Sequence, residues 1–165
     1  MTHPRSFDAI ELGAYFALIE VSSLLRHTVE QQLRDAGDLS YVQFQLLARL
    51  GDSPDGSRRM TELADGVVYS RSGLTYQAQT LEQRGLVTRA QSTDDERGTT
   101  VTITEQGRDT LASVFPGHIE VLDNLLFTPL DRVDVERLAD ALGRVRDHMR
   151  AAPPRSASSR KRKTA

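Results

Sequence analysis

Residues 70–104 read SRSGLTYQAQTLEQRGLVTRAQSTDDERGTTVTIT, and their order decides the fold. Ser70 is a helix-capping residue type, and the spacing after it predicts a helix over 70–84, closed by Gly85. Leu74, Ala78 and Leu81 fall at i, i+4 and i+7 and form one buried stripe. Arg71, Ser72, Thr75, Tyr76 and Gln79 fall largely on another face. That face offers donors, acceptors, one cation and a single bulky aromatic, which suits a helix laid in the major groove of duplex DNA. The positive end of the helix dipole near Ser70 suits a phosphate. On the wheel alone, an ordinary solvated amphipathic helix is the better description. The neighbours add specificity. Leu86-Val87-Thr88-Arg89 reads as a strand, 92–98 is polar and turn-like, and Thr100-Val101-Thr102-Ile103 alternates as a half-buried strand does. Upstream, a short helix is predicted over 61–65, with a turn at Gly66-Val67-Val68-Tyr69. Short helix, tight turn, capped helix and hairpin in succession make a helix-turn-helix with a wing.

The hairpin tip carries Asp94-Asp95-Glu96-Arg97-Gly98. Three acids beside one arginine would repel phosphate if left free. On an extended strand Asp95 and Arg97 share one face, so the carboxylate can orient the guanidinium towards DNA. An arginine held there can enter a narrow minor groove, where the potential is most negative. The competing description is a surface turn with an ion pair of little worth.

Helices surround this segment. A long one is predicted over 7–36, with Tyr15, Leu18, Ile19, Leu25, Val29 and Leu33 at helical spacing and Gly37 as its stop. Ser40 and Gln43 form a capping-box pattern for a second helix, with Phe44, Leu47 and Leu50 as its buried stripe and Gly51 as its end. Residues 52–57 read as a loop. Thr104 caps a helix running to about Phe127, with a kink expected at Pro116-Gly117. Asp131 caps a last helix reaching Arg150. Its Val135, Leu138, Leu142, Val145 and Met149 form a heptad-like seam, read as a dimer interface rather than internal core. Pro153-Pro154 ends the ordered body, and the basic tail over 151–165 reads as disordered.

Here the residues resemble the multiple-antibiotic-resistance regulator (MarR) family of bacterial transcription factors. The resemblance rests on Asp95-x-Arg97-Gly98-x-x-Val101-x-Ile103-Thr104, which is similar to that family's wing signature. Leu81-Glu82-x-x-Gly85-Leu86-Val87 and Met60-Thr61-Glu62-Leu63-Ala64 are similar to its other recurring stretches. It covers about 7–150. It implies a mainly α fold with a small β-hairpin wing: a winged helix-turn-helix DNA-binding domain over 40–107, flanked by dimerisation helices over 7–36 and 108–150. It also implies a homodimer on a pseudo-palindromic operator, with Arg97 as the wing arginine and Asp95 as its support. A small effector, aromatic or anionic, would bind between the dimer helices and the DNA-binding part and misalign the two recognition helices. One departure stands out: Tyr76 occupies a mid-helix position where the family often has a basic residue.

Bulk properties set limits. The 165 residues fit one domain or one compact unit with an appended subdomain. At 38% hydrophobic, the chain is poor in core-forming residues, and a helical protein in that position often completes its core by oligomerising. Aromatics are only 5%, and Trp is absent, which argues against a stacking platform for single strands. With no cysteine there is no disulfide, thiolate nucleophile or Cys-based zinc site. No apolar run suggests a signal core or membrane span, and the expected location is the cytoplasm. The net charge of −2 is unevenly placed. Without the tail's Arg155, Arg160, Lys161, Arg162 and Lys163, 16 basic residues face 23 acidic ones, or −7. Within the winged segment, too, arginines and acids cancel. DNA binding must therefore come from a few well-placed arginines, not from a basic patch.

Other residues read more plainly. His27, His118 and His148 lack the spacing and companions of a metal site, so no metal or cofactor is expected. His118, next to Pro116-Gly117, is the one to watch, because a helix kink there can shape a pocket. Arg58-Arg59 divide evenly between phosphate contact and solvation. The tail's basic run reads as a solubilising end that can add non-specific DNA affinity. No nucleophile, base and orienter form a catalytic pattern, and there is no phosphate loop, so an enzyme is not expected. The reading is a sequence-specific transcriptional regulator of the repressor kind. The alternative is a winged-helix protein-interaction adaptor, favoured by the acidic body and opposed by Arg71, Ser72 and Arg97.

Overall fold

The computed structural model describes residues 6–66, 71–91 and 98–151. These form two units, dividing after Asp123.

In the first unit α1 spans Ala9–Gly37. Asp8 caps it, and a reciprocal bond with Glu11 completes a capping box. The helix runs through Gly37, and the left-handed residue that ends it is Asp38, with φ 49°. α2 spans Tyr41–Gly51, and the Ser40–Gln43 capping box is present as the sequence predicts. α3 spans Met60–Gly66, and α4 spans Arg71–Gln83. Gly85, at φ +72°, turns the chain out of α4, where a side chain would be strained.

β2 (Val87–Gln91) and β3 (Thr99–Ile103) form the antiparallel hairpin, in register from Val87↔Ile103 to Gln91↔Thr99. The structure adds a strand where the sequence reads as loop. β1 (Ser57–Arg59) pairs antiparallel with the other edge of β3, giving the order β1-β3-β2. Three residues reading Ser-Arg-Arg carry no β-branched alternation. Their strand character comes from β3's open edge and from a hydroxyl–hydroxyl bond between Ser57 and Thr102 at 2.7 Å.

α5 (Glu105–Leu122) starts at Thr104, whose hydroxyl accepts from the Gly107 N–H and donates to the Gly85 carbonyl. The helix is unbroken through Pro116, and its departure from α geometry is a π turn over Asp123–Phe127. The sequence places the irregularity at Pro116, because proline removes a backbone donor; the change of hydrogen-bond period comes about two turns later.

One core holds this unit together. Leu33 and Val29 of α1, Leu46, Leu47 and Leu50 of α2, Leu63 of α3, and Leu74 and Leu81 of α4 meet there. Val87, Val101, Ile103 and Val114 of the sheet and α5 complete it. The first half of α1 stays outside it: Ile10, Phe16 and Leu24 are 83%, 62% and 63% exposed.

In the second unit α6 spans Arg132–Ala151. Asp131 accepts from the Asp134 N–H, as a cap should. Arg132–Glu136 and Asp140–Arg144 pair one turn apart. None of the residues of α6 is buried. Among the described residues no helix is long and apolar enough to cross a membrane. The basic tail beyond Ala151 lies outside the described residues.

Candidate nucleic-acid interface

α4 divides as its sequence predicts. Leu74, Ala78 and Leu81 are each 1% exposed and lock it to the core. Ser72, Thr75, Tyr76 and Gln79 lie on its exposed side, with Tyr76 66% exposed. Four of the predicted contact residues are thus brought to one accessible surface. The backbone of Arg71 opens the helix. Ser70, Asp95 and Arg97 lie outside the described residues, as does the side chain of Arg71.

Three polar contacts fix how α4 is presented. Glu82 accepts from the Arg89 backbone N–H at 3.0 Å and from its Nε at 2.8 Å, with Nη2 also 2.8 Å away. The side-chain bond from Arg89 holds the Glu82 carboxyl below the usual carboxylate range. This fork joins α4 to β2. Gln43 Nε2 of α2 donates to Gln77 Oε1 at 2.9 Å. Arg84, just past α4, donates to the carbonyls of Gly37 and Asp38. Sequence reasoning missed all three. Glu82 and Arg89 sit on different elements, and the side-chain bonds Gln43–Gln77, Arg84–Asp38 and Arg84–Gly37 span 34, 46 and 47 residues, so no spacing rule reveals them.

Of the arginine pair before α3, Arg58 is held by structure. Its Nε donates to the Arg49 carbonyl at 3.0 Å, meeting the end of α2.

A cavity of about 310 Å³ lies between α1, α2 and α5, lined by Leu25, Arg26, Val29, Tyr41, His118 and Leu122 with Ser22 at its edge. Its size suits a small organic molecule. The Arg26 guanidinium sits 5.7 Å from the Tyr41 ring centroid. The His118 ring tilts against Phe44 at 4.5 Å. Burial holds the His118 pKa below the ordinary imidazole range. His118 therefore lines a pocket, with an apolar wall and one cation for company, but this pocket lies between three packed helices and does not come from a break at Pro116, where α5 is continuous.

A helix locked by one face beside a paired wing strand, with its polar face open, defines a winged helix-turn-helix of the DNA-reading class. Comparison with known proteins agrees. The MarR family profile matches residues 37–98. The chain is 30% identical over 105 residues to the HTH-type transcriptional regulator MhqR of Bacillus subtilis (strain 168), covering 64% of this chain and 68% of that one. It is 27% identical over 121 residues to the HTH-type transcriptional repressor YetL of the same organism, covering 73% and 72%. Sco3205, a MarR family regulator from Streptomyces coelicolor solved in complex with DNA, superimposes with a TM-score of 0.85 at 29% identity, covering 88% of this chain and 91% of that one. The chain belongs to the MarR family and is a DNA-binding transcriptional regulator.

Proposed function

We propose that the protein acts in the cytoplasm as a homodimeric repressor, placing two copies of α4 in successive major grooves of a pseudo-palindromic operator. The exposed polar face of α4 carries this reading. Ser72, Thr75, Tyr76 and Gln79 stand where base edges would be met, with Ser70 and Arg71 at the phosphate-facing end. Arg97, supported by Asp95, reaches the minor groove from the wing. Tyr76, in place of a cation, shifts discrimination towards apolar contact with thymine methyl groups. The dimer is built by α1, α5 and α6, whose exposed apolar side chains a second copy covers.

The cavity between α1, α2 and α5 takes a small aromatic anion, with Arg26 facing the charge and Leu25, Val29 and Leu122 facing the ring. A bound effector favours a dimer whose recognition helices misfit the operator.

A gel-shift titration on the DNA upstream of the protein's own gene tests the reading. Arg97→Ala should lose about tenfold or more in affinity, a typical cost for a well-placed DNA contact, while remaining dimeric. Unchanged affinity would remove the wing arginine from the interface. Adding 2-hydroxybenzoate should release the parent protein more readily than Arg26→Ala, and equal release would move the effector elsewhere.

A further inference from the structure

Two helix ends meet at Arg84. An α-helix leaves its last carbonyls without partners of its own. At the end of α1 the Asp38 N–H returns to the Arg34 carbonyl at 2.9 Å, and the Leu39 N–H returns to the Leu33 carbonyl at 3.1 Å. The Gly37 and Asp38 carbonyls point onward and are met from another element. Arg84 Nη2 donates to Gly37 at 3.0 Å, and Nη1 donates to Asp38 at 2.6 Å. The Asp38 carboxylate adds a weaker contact at 3.9 Å. A cation at this end also meets the negative pole of α1. Arg84 itself finishes α4: its N–H donates to Thr80 at 3.2 Å, and Gly85 turns away behind it.

We propose that Arg84 is the positioning residue that carries the placement of α1 to the recognition helix. The inference rests on the dimeric, DNA-reading function proposed above. Apolar packing locks the Leu74–Leu81 stripe of α4, but the gap beside its C-terminus is open. A cavity of about 430 Å³ separates α1 from α4 there, with Glu30, Arg34, Tyr41 and Thr80 on its walls and Arg84 reaching across it. The planar fork holds two carbonyls at once, so it fixes a distance and an angle together, which a lysine cannot do. The same stretch of α4 holds the wing through Glu82 and Arg89. A shift of α1 thus reaches helix and wing through this side chain as well as through the shared core. In a dimer built on α1, Arg84 sets the separation of the two recognition helices.

The chain has no cysteine, so Gln79→Cys gives one clean spin-label site on the exposed side of α4 in each copy. Pulsed dipolar spectroscopy of that full-length dimer should give one narrow distance. Adding Arg84→Ala should broaden or shift it, with the light-scattering mass unchanged. Binding to a duplex selected by the parent from a random library provides the second readout. Parent protein should discriminate against a copy whose half-site spacing is lengthened by about two base pairs. Arg84→Ala should lose about tenfold of that discrimination, the scale of an ordinary inter-site coupling, and Arg84→Lys should fall between. A purely stabilising arginine would lower affinity for both duplexes alike. An unchanged distance distribution with unchanged discrimination overturns the proposal. If Arg84→Ala does not fold, Arg84→Gln serves in the same comparisons. No dipolar signal in the parent would take down the dimer reading and the strut together.

Discussion

At the scale of single residues, His118 has the most distinctive environment. Its ring rests on Phe44 at 4.5 Å, and its Nδ1 is buried and meets no hydrogen-bond partner among the described residues. The side chains sharing its cavity include Arg26 from α1 and Tyr41 from α2, and no carboxylate is among them. Burial lowers the pKa, so the imidazole is neutral at pH 7. Above the ordinary imidazole value both folded and unfolded states are neutral, and His118 contributes no pH dependence. Below about pH 6.5 the unfolded chain takes up its proton first, and stability falls until the folded-state pKa is passed. His118→Phe keeps a ring against Phe44 and removes the proton. The melting temperature of the parent should therefore drop more between pH 7 and about pH 5.5 than that of the variant. Parallel losses in both proteins would assign the acid sensitivity elsewhere. Glu82 behaves in the opposite chemical sense: its carboxyl is held low by Arg89, so the helix–wing fork survives at neutral pH and fails only in acid.

At the scale of elements, the joint between wing and α5 is set by Gly107. A Cβ built there would run into the Leu86 carbonyl, and it would sit 2.8 Å from Ile103 Cγ1. The obstacle on one side is backbone, so it cannot turn aside. Gly107→Ala should cost about 1–3 kcal/mol by overpacking, read as a lower urea midpoint at unchanged slope. A neutral result would mean that α5 can slide on the sheet. This joint also shows what a sequence discloses. The Ser40–Gln43 box, the Leu74-Ala78-Leu81 stripe and the Thr104 cap were all legible, because each works within a turn or two of its own chain. The β1 strand was not, because its register is dictated by β3, more than forty residues away. Nor were Gln43–Gln77 and Arg84–Gly37, whose partners are set by how helices pack. The exposed face of α4 followed directly from its wheel. The sequence singled out His118 for its place beside Pro116-Gly117, but not Arg26 or Tyr41 opposite it, since three separate helices converge there.

At the scale of the whole molecule, the puzzle is the first half of α1. Ile10, Leu12, Phe16, Leu18, Ile19, Val21 and Leu24 are all exposed and point in several directions round the helix. A helix that is apolar on all sides belongs inside something, and a patch of this extent on one chain marks an interface. The second copy proposed above would meet that need, and the apolar character of such an interface separates two couplings experimentally. Association driven by apolar burial gains or holds strength as salt rises. DNA binding loses strength, because each phosphate neutralised releases counterions. The acidic body limits the number of phosphate contacts, so about four per dimer is a fair expectation, and affinity should fall about a hundredfold between 50 and 200 mM salt. Over the same range, sedimentation equilibrium should show the dimer undiminished. Substituting Phe16 and Leu24 together by Glu should invert the pattern: a monomer at micromolar concentration, a folded core of unchanged helicity, and operator affinity reduced to that of a single half-site. A double variant that stays dimeric would show that the copies meet through some other surface, and the exposed half of α1 would then need a different partner.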